Sequence, residues 1–176
     1  MSGATKLDFD KVRVLAVGCK GYAAVMLRTV LNAAGLFRLE LVEEPRRAVE
    51  LLCSDAFDVV FIEENLQVGG QPFALAARRN RALVNPLVPI LLIAAAPRRL
   101  DVEQSRDQGI SDVLVRPLSA AVIVRKLTPI LTQPRPFIAA PTFFGPDRRA
   151  KNRNHNFQGP DRRSRIPRKA TISVEA

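Results

Sequence analysis

Short apolar runs alternate with stretches of helical spacing along residues 12–131, and the alternation occurs five times. Most of the short runs are continuously apolar and β-branched, which is typical of strands covered on both faces. The predicted strands are residues 12–17, 39–42, 59–62, 88–93 and 113–115. The predicted helices are residues 22–34, 45–54, 72–80, 99–108 and 120–131. Right-handed crossovers then predict a doubly wound α/β fold whose five parallel strands follow the order 2-1-3-4-5.

The chain changes character after residue 131, where Pro, Asn, Arg and Gly replace the apolar runs. Such a segment buries too little apolar surface to offset the entropy of ordering it. We therefore expect one domain at residues 11–131, a linker at 132–141, and a tail at 142–176 that is disordered until it meets a ligand. Residues 134–176 carry 10 basic and 3 acidic side chains, which is +7 of the net charge of +10. This asymmetry favours an anionic partner.

Simple patterns argue against several classes of protein. No run approaches the roughly 18 apolar residues of a membrane span, and residues 1–10 lack a signal-peptide pattern, so we expect a cytoplasmic protein. Cys19 and Cys53 have neither disulfide-framework nor zinc-ligand spacing, and we expect both to be small packing residues. The absence of a nucleophile with a base, of metal-ligand spacing and of a P-loop predicts no enzyme, metal or cofactor. Isolated basic pairs such as Arg78-Arg79 are interpreted as solvated surface.

One pentapeptide occurs twice in the tail, and its copies begin 14 residues apart. The first copy is Gly145-Pro146-Asp147-Arg148-Arg149, and the second is Gly159-Pro160-Asp161-Arg162-Arg163. Gly and Pro favour a turn, which then presents a carboxylate beside two guanidinium groups. Guanine suits this unit because its O6 and N7 atoms accept from arginine while its N1 and N2 hydrogens reach a carboxylate. Arg153 is a further candidate for stacking on a base or pairing with a phosphate.

Three landmarks resemble the receiver domain of bacterial response regulators, a CheY-like domain. Residues 13–17 and the helix that follows them resemble its first βα unit. Residues 56–62 resemble the approach to the phosphoacceptor. Residues 109–118 resemble the closing segment of the family, in which a lysine normally stands where this chain has Arg116, before Pro117. The resemblance covers about residues 11–131 and implies the same doubly wound fold.

The same resemblance implies a phosphorylation pocket in which most of the chemistry has been replaced. Gly18 and Cys19 stand where an acidic pair would hold Mg²⁺, Glu63 stands for the acceptor aspartate, Ala94 for the hydroxyl residue and Arg116 for the lysine. Without oxygen ligands for a metal, phosphoryl transfer loses most of its electrostatic stabilisation. Glu63 paired with Arg116 is interpreted either as a permanent substitute for phospho-aspartate or as the remnant of a decayed pocket.

A degenerate receiver joined to an arginine-rich tail with two GPDRR elements resembles the Cle proteins, CheY-like cyclic di-GMP effectors of alphaproteobacteria. The resemblance implies that the tail captures cyclic di-GMP, with the two pentapeptides and Arg153 as the ligand-binding residues. It also implies action on the flagellar motor switch or the attachment machinery, with recruitment to the flagellated pole. Two alternatives stay open, an RNA-binding adaptor that uses the basic tail and a protein-binding pseudo-receiver without a nucleotide ligand.

Overall fold

The computed structural model describes residues 8–96, 105, 107–133, 135–140, 143–147 and 164–166. Its strands are β1 (Arg13–Val17), β2 (Arg38–Val42), β3 (Val59–Glu63), β4 (Gln67–Val68), β5 (Gln71–Pro72), β6 (Ile90–Ala94), β7 (Asp112–Val115), β8 (Phe137–Ala140), β9 (Phe143–Pro146) and β10 (Ser164–Ile166). Its α-helices are α1 (Gly21–Ala33), α2 (Pro45–Ser54), α3 (Phe73–Arg79) and α4 (Ala120–Thr132). The predicted helix at residues 99–108 lies mostly outside the described residues.

Five strands form a parallel sheet in the order β2-β1-β3-β6-β7. Since β6 and β7 are its fourth and fifth strands, this order confirms the predicted doubly wound topology. The central strand β1 pairs on both sides, so that Val14 lies beside Leu39 and Val59. All five strands end at the same edge of the sheet, and that edge collects the residues that follow β1, β3, β6 and β7.

Helices cover both faces of the sheet, which explains why its inner strands β1, β3 and β6 are predominantly apolar. Successive residues of a strand point to opposite faces, and in β1 the alternating residues belong to two separate buried clusters. Val14 and Ala16 share a cluster with α1 and α4, whereas Leu15 and Val17 share the other with α2 and α3. The helix-forming segments thus bury one stripe each and anchor the sheet between them.

A second, smaller sheet follows α4. It has three antiparallel strands in the order β10-β8-β9, with β8 in the centre. Strand β8 falls within residues 132–141, which were expected to be a linker, and β9 and β10 fall within the tail expected to be disordered. The difference has a packing reason, because Phe137 and Ile138 are buried, at 1% and 3% exposure. Within the part of the chain that the structure describes, no helix is long and apolar enough to span a bilayer.

Candidate functional site

The carboxyl edge of the parallel sheet brings together the residues that the sequence placed in a phosphorylation pocket. We call Gly18, Cys19, Glu63, Ala94 and Arg116 the Glu63 pocket. Glu63 is the last residue of β3, and a guanidinium nitrogen of Arg116 (Nη2) donates a hydrogen bond to its Oε1 atom. The backbone amide of Arg116 donates to the carbonyl of Ala94 over 2.9 Å, which fixes the start of the segment after β7. Arg116 therefore neutralises the carboxylate at the acceptor position.

Cys19, two residues after β1, is a second hydrogen-bond partner of Glu63. Its thiol donates a hydrogen bond to Glu63 Oε1 over 3.1 Å, and only 4% of the residue is exposed. Burial, together with the hydrogen bond and the negative charge of Glu63, raises the pKa of the Cys19 thiol from 9.0 to about 12, against the opposing charge of Arg116. A protonated thiol is a hydrogen-bond donor and neither a nucleophile nor a metal ligand. Cys19 thus acts as a packing residue that also orients Glu63.

The position before Cys19 has no room for an acidic side chain. Gly18 has φ +88°, and a Cβ atom built on it would lie 2.6 Å from Cδ2 of Leu66. Leu66 therefore fills the space that a metal-binding carboxylate would need, and the backbone there favours glycine. Among the described residues, no group of three His, Cys, Asp or Glu side chains could hold a metal ion. The Glu63 pocket does not fit the Mg²⁺ that its resemblance to receivers implies.

A cavity of about 480 Å³ opens on the other side of Glu63. Its wall includes Glu63, Glu64 and Leu66, whereas Arg116, Cys19 and Ala94 do not line it. Of the two carboxylates at this wall, Glu63 is paired with Arg116, and Glu64 accepts a hydrogen bond from the amide of Ala95 over 3.2 Å. Among the described residues that line the cavity there is no lysine or arginine, so this lining supplies no positive charge for a phosphoryl donor.

The opposite, amino-terminal edge of the sheet holds a buried arginine, and here the interpretation from sequence was wrong. Arg78 at the end of α3 is only 6% exposed instead of solvated. Its guanidinium donates to the carbonyls of Gly109 (3.2 Å), Pro86 (3.0 Å) and Val88 (2.7 Å). We call Arg78 with these three carbonyl groups the Arg78 cluster. The carbonyls belong to the segments that lead into β6 and β7, so Arg78 ties α3 to the entry of two strands.

The spacing of α3 carried a signal for this burial. Ala74, Ala77 and Arg78 follow one another at helical spacing, and all three are buried. An arginine in phase with an apolar stripe is on the inward face of its helix. Its charge then needs hydrogen-bond acceptors, which the three carbonyls supply.

The hairpin formed by β8 and β9 lies against the Arg78 cluster. The Cζ atom of Arg78 is 4.9 Å from the centre of the Phe137 ring, a cation–π distance. Phe137 pairs across the hairpin with Pro146, and Ile138 pairs with Gly145. The amide of Asp147 donates to the carbonyl of Pro136 over 2.8 Å, and Asp147 is 6% exposed. The first three residues of the first pentapeptide are therefore ordered and buried against the domain.

The remaining predicted ligand-binding residues have no structural description. They are Arg148, Arg149, Arg153, Gly159, Pro160, Asp161, Arg162 and Arg163, and all lie outside the described residues. Strand β10 begins at Ser164, directly after the second pentapeptide, and its backbone pairs with β8. The small sheet thus contains the first two residues of the first copy, in β9, and the residue that directly follows the second copy, in β10.

Several solved structures to which this fold is similar are receiver domains. The chain is similar to the chemotaxis response regulator CheY4 of Vibrio cholerae, at 24% identity and a TM-score of 0.58 over 68% of this chain and 98% of that chain. It is also similar to the receiver domain of the sensor histidine kinase PA1611 of Pseudomonas aeruginosa, at 24% identity and a TM-score of 0.56 over 66% and 94% of the two chains. That structure holds a magnesium ion in its active-site cleft.

A third solved structure contains the receiver domain of the response regulator Ssk1 of Saccharomyces cerevisiae with the phosphotransfer protein Ypd1. The match to it has 19% identity and a TM-score of 0.55, and it covers 67% of this chain and 87% of that chain. No family model matches the sequence, and no curated protein matches it. The chain therefore has the fold of CheY-like receiver domains, and roughly a third of its length lies outside the match.

Proposed function

We propose that this chain is a non-enzymatic effector that binds cyclic di-GMP through its duplicated pentapeptide. The observation that carries the proposal is the repeat itself, because an ordered unit of turn, carboxylate and paired arginines occurs twice in 19 residues, 145–163. A ligand with two guanines and two phosphates has matching chemistry. Cyclic di-GMP is such a ligand.

Each pentapeptide offers complementary groups to one guanine. The arginine fork suits the O6 and N7 acceptors, and the aspartate suits the N1 and N2 donors. Arg153 and the second arginine of each pair are then available for the phosphates or for stacking. A basic segment also attracts the doubly charged ligand before contact is made.

The receiver fold supports a signalling role in which ligand binding replaces phosphorylation. Glu63 already has Arg116 and Cys19 as partners, and Leu66 occupies the space beside Gly18. A domain without a metal site needs another input to change its surface. In this proposal the bound tail supplies that change, and the altered surface docks on a protein target such as the flagellar motor switch or the attachment machinery.

A competition experiment separates base reading from phosphate binding. The full chain, titrated with fluorescent cyclic di-GMP, is challenged with unlabelled cyclic di-GMP and cyclic di-AMP at low and at raised salt, about 50 and about 300 mM. Recognition of the guanine edge predicts that the preference for cyclic di-GMP persists at both salt concentrations, since base contacts are less screened than phosphate contacts. Equal competition by both dinucleotides, with binding that disappears at the higher salt, would reject the proposal and favour a general nucleic-acid adaptor.

A further inference from the structure

The cavity beside Glu63 has a lining whose charge and hydrogen-bonding groups fit a ligand other than cyclic di-GMP. We infer that it is a second binding site, which takes a small organic monocation, a primary ammonium group on a short apolar chain. The volume of the cavity, about 480 Å³, is within the roughly 300–1,000 Å³ of small-molecule sites. The site involves neither pentapeptide, and every side chain assigned to it belongs to the described residues.

Glu63 has one carboxylate oxygen that is already occupied and one that is available. Its Oε1 atom accepts hydrogen bonds from Arg116 Nη2 and from the thiol of Cys19. Its Oε2 atom accepts none from any residue that the structure describes. The side chain is 20% exposed and lines the cavity. Since an ionised carboxylate accepts at both oxygens, Glu63 keeps acceptor capacity for a ligand after Arg116 has balanced its charge.

Glu64 gives the lining its net charge. Its Oε1 atom accepts a hydrogen bond from the amide of Ala95 over 3.2 Å. Within the described part of the chain, no lysine or arginine forms an ion pair with Glu64. Because the charge of Glu63 is balanced by Arg116, the carboxylate of Glu64 leaves one negative charge at the cavity. One negative charge suits a monocation and disfavours an anion such as cyclic di-GMP.

A buried hydroxyl independently points to a ligand. Ser105 is 9% exposed and lines the cavity, and among the described residues its hydroxyl has no hydrogen-bond partner. Its carbonyl accepts from the amides of Gln108 (3.2 Å) and Ile110 (3.3 Å), which fixes the residue in place. A buried hydroxyl without a partner is costly. The three N–H groups of a primary ammonium match in number the oxygens of Ser105, Glu63 and Glu64.

The apolar part of the lining fits a short alkyl chain. Phe73 and Ile110 line the cavity and are 1% and 2% exposed. The wall between β3 and α3 is held by regular backbone pairing, since Gln67 of β4 pairs with Pro72 of β5. The amide of Phe73 donates to the carbonyl of Leu66 over 2.9 Å. Fixed apolar side chains with a few polar groups are the usual composition of a small-molecule site.

n-Pentylamine, with n-pentanol as its uncharged counterpart, tests the inference on the full chain. In proton–nitrogen correlation spectra near neutral pH, at a matched ionic strength of about 100 mM, n-pentylamine should shift the amides of Glu64, Asn65, Gln108 and Ile110. n-Pentanol should bind about fivefold more weakly or less tightly still, because it lacks the charge that Glu64 meets. Equal binding of both compounds, or no shift of these amides up to about 100 mM ligand, would show that the cavity holds only water and would overturn the inference.

Two variants assign the polar groups. Glu64→Gln keeps the shape of the side chain and removes its charge, and it should weaken n-pentylamine binding by about fivefold or more. Glu40→Gln is the matched control, because it removes the same charge from an exposed position in β2, and it should change the affinity by less than about twofold. Equal losses in the two variants would mean that only the net charge of the chain matters, and the site would be rejected.

Ser105→Ala separates a ligand-binding hydroxyl from a structural one. It should weaken n-pentylamine binding by about threefold or more, and it should leave the midpoint of thermal unfolding unchanged or raise it, because the hydroxyl has no partner to lose. A lower midpoint with unchanged binding would contradict this role. Failure of cyclic di-GMP to bind would reject the proposed function and leave the n-pentylamine result untouched.

Discussion

Cys19 holds a thiol that stays protonated well above neutral pH, and this makes stability depend on pH in a defined direction. Its pKa is raised from 9.0 to about 12 in the folded chain, so unfolding releases a proton between these values. The stabilisation is fully present below pH 9 and is lost as the pH rises towards 12. We predict that the difference in free energy of unfolding between wild type and Cys19→Ala shrinks by about 1 kcal/mol from about pH 8 to about pH 10.

Urea denaturation under reducing conditions at the two pH values measures this difference. Because both chains share all lysines and the tyrosine, their titrations cancel in the comparison. The control variant is Cys53→Ala, which removes a half-buried thiol from α2. A difference between wild type and Cys19→Ala that does not change with pH would show that the thiol is not buried against Glu63.

Gly18 gives a second prediction at the level of single residues. Gly18→Ala should destabilise the chain by about 1–3 kcal/mol, because it forces a side chain into a positive-φ conformation and against Leu66. Gly21→Ala is the matched control, since Gly21 also has a positive φ, +51°, but no atom lies within 4 Å of the place that its Cβ would take. Equal losses in urea denaturation would mean that Leu66 is not a barrier there.

The sequence contained enough information to find the Glu63 pocket but not the Arg78 cluster. Glu63 and Arg116 were placed by the resemblance of residues 56–62 and 109–118 to receiver domains, and parallel strands end at one edge. Arg78 was placed in a solvated pair because a charge is usually exposed. Its acceptors, the carbonyls of Pro86, Val88 and Gly109, are up to 31 residues away and meet it only in the folded chain.

At the scale of elements, the hairpin of β8 and β9 should behave as part of the domain. Phe137→Ala removes a ring that is 1% exposed and in contact with Arg78, and we predict a loss of about 3–5 kcal/mol in the free energy of unfolding. Phe37→Ala is the matched control, because Phe37 is 61% exposed, and it should change stability by no more than about 0.5 kcal/mol.

Chemical denaturation of the two phenylalanine variants checks this prediction. If Phe137→Ala is as mild as Phe37→Ala, residues 137–140 contribute nothing to the domain and the hairpin is a detachable segment. If the predicted loss is found, the domain extends at least to Phe137, beyond the boundary at residue 131 that the sequence favoured.

The elements that could be predicted from sequence are those whose pattern is long and repeated. Strands β1, β2, β3, β6 and β7 agree with prediction to within two residues, and the inner strands β1, β3 and β6 are predominantly apolar runs covered on both faces. Strand β8 was not predicted, because it has only four residues and is flanked by Pro134, Pro136 and Pro141. It is held by contact with Arg78 and by pairing with β9 and β10. A strand held by such distant partners shows no periodic pattern in its own sequence.

At the scale of the whole molecule, the two edges of the receiver sheet hold different groups. The carboxyl edge contains a neutralised pocket in which Arg116 and Cys19 hold Glu63. The amino edge contains the Arg78 cluster and the start of the first pentapeptide. In the proposed function a ligand-binding tail replaces phosphorylation as the input.

Isothermal titration calorimetry with cyclic di-GMP tests this proposal on the full chain and three arginine variants. Arg148→Ala and Arg162→Ala should each weaken binding by about tenfold or more, as expected for a lost guanine contact. Arg46→Ala removes the same charge from the exposed face of α2 and should change the affinity by less than about twofold. Wild-type heats in both tail variants, or an equal loss in Arg46→Ala, would contradict the assignment of the pentapeptides as the ligand-binding residues.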